Sequence, residues 1–306
     1  MELRQLKYFV KAAETLNFSE ASRVLYITQS TLSQQIRQLE TELGTQLFIR
    51  DSHSVQLTES GESLLPLAKK TLQDATTCQD AICDLRNMLS GSLNIGITYT
   101  FAPILTETVI EFSKAHPAVK LNICYKTMEE LLALLQKREL DFVLSFKPVS
   151  THENIESHVL FDNKLSVIVN RNHALAGKKS VTLQDILPHG VAMPARGLQS
   201  RNKFDTLFPD ADKYLNIRME LNEVNVLLDI IRGSRLLTIL SEAVIHQSGG
   251  LVAIPFDVPD NIMEGCVHTE KNSYRKKSAE EFIKMLRDSE AVRERAIQWL
   301  ASLQSH

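Results

Sequence analysis

Phe18-Ser-Glu-Ala-Ser-Arg-Val-Leu-Tyr-Ile-Thr-Gln-Ser-Thr-Leu-Ser-Gln-Gln-Ile-Arg-Gln-Leu-Glu-Thr-Glu-Leu-Gly44 carries the spacing of two helices joined by a short turn. Apolar residues recur at Ala21, Val24 and Leu25, then at Leu32, Ile36, Leu39 and Leu43. Steps of three and four give each helix one buried stripe. Thr28 suits the N-cap of the second helix, since its hydroxyl can accept from a free first-turn N–H, and Gly44 suits its C-terminal stop.

The face opposite the second stripe is unusual for a solvated helix. Gln29, Ser30, Thr31, Ser33, Gln34 and Arg37 occupy its first turns, and no carboxylate appears before Glu40. Amides can pair in both directions with adenine, Arg with guanine or phosphate, and short hydroxyls with phosphates or thymine methyls. The arrangement fits a helix-turn-helix whose second helix enters a DNA major groove. A plain solvated face on a helical hairpin is the competing reading.

The flanks favour the first reading. Leu3, Leu6, Phe9, Val10 and Ala13 form an amphipathic helix ahead of the pair, while Leu47-Phe48-Ile49-Arg50 and Val55-Gln56-Leu57-Thr58 read as two short strands around a turn. Three helices and a hairpin make a winged helix-turn-helix. At Leu6, Phe9, Ala12-Ala13, Asn17-Phe18-Ser19, Ala21, Leu25, Thr28-Gln29-Ser30, Ser33-Gln34-Gln35-Ile36, Leu39-Glu40, Leu43-Gly44, Leu47-Phe48, Arg50 and Leu57-Thr58-Glu59-Ser60-Gly61 the chain resembles the LysR-type transcriptional regulators. The resemblance implies DNA contacts from Gln29, Ser30, Thr31, Ser33, Gln34 and Arg37, joined at the wing by Arg50 and His53. The wing loop Asp51-Ser52-His53-Ser54-Val55 lacks the Arg or Lys usual in the family, which argues against its insertion into a minor groove.

Charge gives little help to DNA binding. The 306 residues carry a formal net charge of -3, and residues 1–60 hold six basic residues (Arg4, Lys7, Lys11, Arg23, Arg37, Arg50) against seven acidic ones (Glu2, Glu14, Glu20, Glu40, Glu42, Asp51, Glu59). Affinity must then come from charge placement, helix N-termini and doubling by a dimer. With 43% hydrophobic residues the chain can bury a core. Its length suits a small module plus a larger one.

From Glu59 to Leu89 a long helix is expected, with apolar residues at Leu64, Ala68, Leu72, Ala75, Cys78, Ile82, Leu85 and Leu89, and with Pro66 placed to kink it. A stripe on a helix between two domains implies a partner helix from a second copy. Packing on its own domain is the alternative. In the resembling family this segment is the linker that makes an antiparallel coiled-coil dimer.

After Ser90-Gly91-Ser92, strands and helices alternate, which implies a parallel sheet wound with helices on both faces. This half resembles the family's effector-binding domain, so the fold class expected is α/β: a winged helix-turn-helix over 1–58, a linker helix over 59–89, and a two-lobed domain over 90–306 like periplasmic binding proteins. Lobe one would comprise 90–161 and 266–306 and lobe two 162–265, with hinges near Ser145 and Gly265. The strand entry Arg232-Gly233-Ser234-Arg235-Leu236 departs from the family's Gly-rich form, and Leu240-Ser241 replaces its Leu-Pro. Carried over from the family, Thr98, Tyr99, Thr100, Lys126, Thr127, Ser145, Lys147, Arg196, Ser200 and Arg201 would line the cleft. Hydroxyls near helix N-termini beside Lys and Arg suit a small carboxylate or another anion.

The sequence points to no cofactor. Cys78, Cys83, Cys124 and Cys266 are too scattered for a disulfide framework, no Cys-x-x-Cys occurs, and the nine histidines, His189 and His246 among them, show no metal-ligand spacing. No nucleophile elbow or phosphate loop suggests an enzyme. With neither a signal peptide nor a long apolar run, a cytoplasmic protein with no membrane partner is expected. The expected function is a DNA-binding regulator acting on double-stranded DNA as a dimer or tetramer and answering a small-molecule effector. The alternatives are a constitutive regulator with a ligand-free effector domain and, further off, a binding protein or enzyme with a helical N-terminal module.

Overall fold

The computed structural model describes residues 1–50, 54–85, 89–148, 152–245, 249–290 and 292–293, and the chain divides into two compact units, Met1–Asn87 and Met88–His306.

The first unit runs α1 (Leu3–Thr15), α2 (Phe18–Val24), α3 (Gln29–Leu43), β1 (Phe48–Arg50), β2 (Val55–Leu57) and α4 (Glu59–Leu85). Asn17 caps α2 by accepting from the Ser19 and Glu20 N–H groups, Thr28 caps α3 by accepting from Thr31 N–H, and Gly44 ends α3 at φ 70°. Leu32, Ile36 and Leu39 of α3 pack with Leu6, Phe9, Phe18, Ala21 and Phe48 in one core. Val24 and Leu43, expected in the stripes, are instead exposed, because each falls where its helix ends. The antiparallel β1–β2 pair is the wing's base, and Glu40 ties α3 to it by accepting from Leu47 N–H at 2.9 Å. Helix α4 approaches β1 so closely that a Cβ at Gly61 would fall on the Leu47 carbonyl oxygen.

The long stripe of α4 divides along its length. Ala68 is buried and Leu64, Leu65 and Leu72 pack on the unit's own core, whereas Cys78 and Ile82 are exposed. The self-packed alternative therefore holds for its first half, and Ile82 keeps the form of an uncovered seam. Pro66 lies inside the continuous helix. Leu85 closes the helix and Leu89 lies beyond it; the side chain of Cys83, and that of Leu85, fall outside the described residues.

The second unit holds two sheets. The first has the order β4 (Val119–Tyr125), β3 (Gly91–Ile97), β5 (Phe142–Phe146), β12 (Met263–Glu270), β6 (Ile155–Asn163). Helices α5 (Ala102–Ala115), α6 (Met128–Gln136) and α10 (Lys277–Asp288) belong with it. The second sheet joins β10 (Thr238–Ser241), β7 (Leu165–Asn170) and β11 (Leu251–Pro255), and a bridge from Val191 to Leu237 adds β8 (Gly190–Pro194) and β9 (Asn216–Leu221). Helices α7 (Leu183–Ile186), α8 (Gln199–Leu207) and α9 (Val224–Gly233) complete this lobe.

An all-parallel sheet was the expectation, and both sheets are mixed. β3 is parallel to β4 and β5, but β12 is antiparallel to β5 and β6, and β7 to β10 and β11. The reason is connectivity, since a strand returning from the other lobe enters the first sheet from the opposite end. Strand β6 is an edge strand with exposed residues at Glu156, Ser157 and Val159, so it carries no long apolar run that sequence alone would reveal. After β10 a 3-10 turn spans Glu242–Ile245, and His246 and Gln247 lie outside the described residues. The chain passes between the sheets at Asn163–Leu165 and between Pro255 and Met263. Ser145, expected at a hinge, sits inside β5.

Candidate DNA-reading face and effector cleft

On α3, Gln29, Ser30, Thr31, Gln34 and Arg37 are exposed and Ser33 is half-buried. The buried stripe at Leu32, Ile36 and Leu39 forces the polar set outward on one side. Thr28 Oγ1 lies 2.9 Å from Ser30 Oγ and 2.8 Å from Thr31 Oγ1, and Gln29 Oε1 accepts from Ser19 Oγ at 3.2 Å. These bonds orient the first turn and leave Gln34 and Arg37 without side-chain partners among the described residues. Arg50 is held differently from a free phosphate ligand: its guanidinium lies 4.4 Å over the Phe18 ring and 3.6 Å from Glu40. His53, with Asp51 and Ser52, lies outside the described residues.

The turn between α2 and α3 exposes one aromatic residue. Tyr26 occupies the turn at φ 55° and is 95% exposed. A left-handed tyrosine two residues before the Thr28 cap is strained in isolation, and only the backbone angle reveals it.

In the second unit, Thr98, Tyr99, Thr100, Lys126, Thr127 and Ser200 line one cleft between the lobes, together with Met128, Leu198, Gln199, Val224 and Leu240. Each sits where a strand gives way to a helix. Thr98 follows β3 and precedes the 3-10 turn Tyr99–Phe101 that runs into α5; Thr127 caps α6; Leu198 starts α8 with no side-chain cap. Three helix starts thus border one space. Tyr99 and Tyr125 stack at 5.4 Å beside it. Lys126 pairs with Glu130 at 3.4 Å on the exposed rim. The space is nearly shut, with a cavity volume of about 10 Å³, room for one water molecule.

Within it, Thr98 Oγ1 is buried and has no hydrogen-bond partner among the described residues. Gln199 does the reverse. Its Oε1 accepts from Phe146 N–H at 3.1 Å and its Nε2 donates to the Phe146 carbonyl at 2.8 Å, so one amide spans the lobes.

Four of the expected cleft residues are placed elsewhere. Ser145 is fully buried with its hydroxyl 2.9 Å from His268 Nε2. Lys147 pairs with Glu264 at 2.6 Å where β12 begins. Arg196 is exposed and pairs with Asp212 at 3.2 Å. Arg201 is fully buried, its guanidinium shared among Asp205, Asp212 and Glu220. A cation already matched by three carboxylates has little left for a ligand. Burial pushes the Cys266 thiol up to about 12, helped by Glu264, and raises that of Cys124 as well, so neither is a ready thiolate. Among the described residues no group of His, Cys, Asp or Glu is placed to hold a metal ion, and no helix is long and apolar enough to cross a membrane.

A winged helix-turn-helix reader with a two-lobed α/β domain defines a DNA-binding regulator with a ligand-binding domain, and not an enzyme. Residues 3–62 match the bacterial regulatory helix-turn-helix proteins of the lysR family and residues 86–291 the LysR substrate binding domain, so the chain belongs to the LysR family of transcriptional regulators. It is 32% identical over 262 residues to the HTH-type transcriptional regulator ShiR of Corynebacterium glutamicum, covering 83% of this chain and 86% of that one. It is 26% identical over 239 residues to the HTH-type transcriptional activator CmpR of Synechocystis, covering 78% of each. In fold it is similar to a full-length OxyR variant from Pseudomonas aeruginosa, with TM-score 0.69, 21% identity, and 96% of this chain and 95% of that one covered. Full-length CbnR in complex with its target DNA gives TM-score 0.67 and 20% identity, with 94% and 99% covered.

Proposed function

We propose that this regulator reads a partly palindromic DNA site through paired α3 helices, with Gln29, Ser30, Thr31, Ser33, Gln34 and Arg37 as contacts and Arg50 with His53 at the wing. A small organic anion in the cleft lined by Thr98, Tyr99, Thr100, Lys126, Thr127 and Ser200 changes how its dimers assemble within a tetramer. The observation that carries the effector is the Thr98 hydroxyl, buried without a partner where three helix starts converge. An unsatisfied buried hydroxyl costs about 1–3 kcal/mol, which a bound oxygen acceptor would recover. Ligand entry requires the lobes to part, because the cleft as it stands holds about 10 Å³. Pairing through the open seam of α4 and a cytoplasmic location complete the reading.

The closed cleft also favours a second reading, a constitutive regulator whose effector domain binds nothing. A footprint on the DNA upstream of its own coding region, with and without a panel of small organic acids, separates the two. A protected region that shortens or shifts with one acid, and no longer does so in Thr98→Val, supports the effector reading. Protection that no acid alters supports the constitutive one. Absence of protection by folded protein overturns the reading face at that site.

A further inference from the structure

The motif left unused by the cleft is Arg232-Gly233-Ser234-Arg235-Leu236, the departure from the family's Gly-rich strand entry. It lies at the opposite end of the lobe-two sheet. Strands β8 and β9 start at Gly190 and Asn216 and end toward the cleft, at Pro194 and Leu221; β10 runs the same way from Thr238 to Ser241. At their starting ends Gly190, Asn216, Arg218, Met219, Arg235 and Leu236 line an open hollow of about 450 Å³. One five-residue strand separates this hollow from the effector cleft, about 15 Å.

Arg218 and Arg235, both exposed, line that hollow, and no carboxylate does. Neither Arg218 nor Arg235 has an ion-pair partner among the described residues. The acids nearest in sequence are already taken: Glu220 binds Arg201 and Asp229 binds Arg232. Two cations lining one space without an acid make it favourable for an anion.

The hollow is also built on fixed backbone. The Arg235 segment is pinned by Leu237 N–H donating to the Gly190 carbonyl at 3.0 Å, by Leu236 N–H to Ser234 Oγ at 3.2 Å, and by the Asn170 amide to the Arg232 carbonyl at 2.5 Å. The Nδ1 of His173 accepts from Leu175 N–H at 3.2 Å, and its ring packs 4.7 Å from His189, the residue before Gly190. Gly190 leaves the room: a Cβ there would lie 2.7 Å from Leu236 Cδ2 and 3.3 Å from Arg218 Cγ. The stem of Arg218 therefore passes close to the bare Gly190 backbone at the edge of the hollow.

We propose that this hollow is a second ligand site, distinct from the effector cleft, for a small doubly charged oxyanion gripped by Arg218 and Arg235 with Asn216 as an additional donor. Paired guanidiniums suit a phosphomonoester or a dicarboxylate, which share two negative charges spread over planar or tetrahedral oxygens. The site would let the regulator respond to a second compound whether or not the first cleft is functional.

The test is thermal unfolding and calorimetric titration of the full chain with inorganic phosphate and with succinate, at ionic strength held constant with sodium chloride. The proposal expects at least one probe to raise the unfolding midpoint by a few degrees. Each of Arg218→Gln and Arg235→Gln should raise the dissociation constant roughly tenfold. A larger response to phosphate assigns a phosphomonoester, a larger one to succinate a dicarboxylate. No response to either probe overturns the proposal. So does a response that survives both Arg substitutions. Gly190→Ala, which fills the hollow without touching charge, guards against misfolded Arg variants by weakening binding in the same direction.

Discussion

Gln199 and Phe146 exchange two hydrogen bonds across the lobes, the Gln199 amide pairing with both backbone groups of Phe146 as a neighbouring strand would. Phe146 ends β5 and Gln199 starts α8, so the pair closes one side of the cleft. Replacing Gln199 by Ala leaves the Phe146 N–H without its partner, while the carbonyl keeps the Ser145 hydroxyl at 3.0 Å, and should cost about 1–3 kcal/mol of stability in this unit. Hydrogen exchange at the Phe146 amide should quicken in Gln199→Ala while amides within β7 and β12 keep their protection. Unchanged exchange at Phe146 would show that the latch does not hold the lobes.

Thr98→Val should act oppositely on the free and the liganded protein. The substitution is nearly isosteric and removes a buried hydroxyl that lacks a partner, so the free protein should unfold at the same temperature or higher. Any stabilisation by an organic acid in the cleft should shrink, as thermal scans of both proteins would record.

Gln34→Ala and Arg37→Ala should differ in kind. A glutamine that reads a base edge contributes about 1–3 kcal/mol of discrimination, so Gln34→Ala should relax sequence preference. If Arg37 grips phosphate, its loss should weaken all sequences alike and reduce the salt slope by about one. Titrations on specific and scrambled duplexes at several salt concentrations separate these outcomes.

Acid should weaken the second unit through His268. Burial pushes this imidazole down to about 4, between the hydroxyls of Ser145 at 2.9 Å and Ser157 at 2.8 Å. A depressed imidazole means that the unfolded chain binds a proton the folded one refuses. Stability is therefore fully present above the ordinary histidine value, near 6.5, and declines as pH falls toward 4. The loss is at most about 3 kcal/mol. Denaturant titrations at stepped pH should show that decline, and His268→Gln should flatten it.

Ile82→Glu should dissociate the protein without unfolding its N-terminal unit. Ile82 is 55% exposed on the part of α4 that its own core leaves uncovered, whereas Leu64 and Leu72 are packed. A charge in the seam of paired helices opposes association, and sedimentation should show the smaller species. Leu72→Ala should instead lower the melting temperature of the N-terminal unit.

By itself the sequence determined what depends on local spacing. The stripe at Leu32, Ile36 and Leu39, the caps at Thr28 and Gly44, and the polar face from Gln29 to Arg37 all lie within one helix, where a period of 3.6 and side-chain chemistry suffice. Thr98, Tyr99, Thr127 and Ser200 came from the family resemblance, and they line one cleft because strand-to-helix junctions collect at one end of such sheets. Tertiary structure alone decided where the charges went. Nothing in the order of residues says that Arg201 is consumed by Asp205, Asp212 and Glu220, or that Lys147 turns to Glu264. Nor does it say that Arg218 and Arg235, far apart in the chain, share a hollow without an acid. Long cationic side chains take their partners from whatever the fold brings near, and in a sheet those neighbours come from strands distant in sequence.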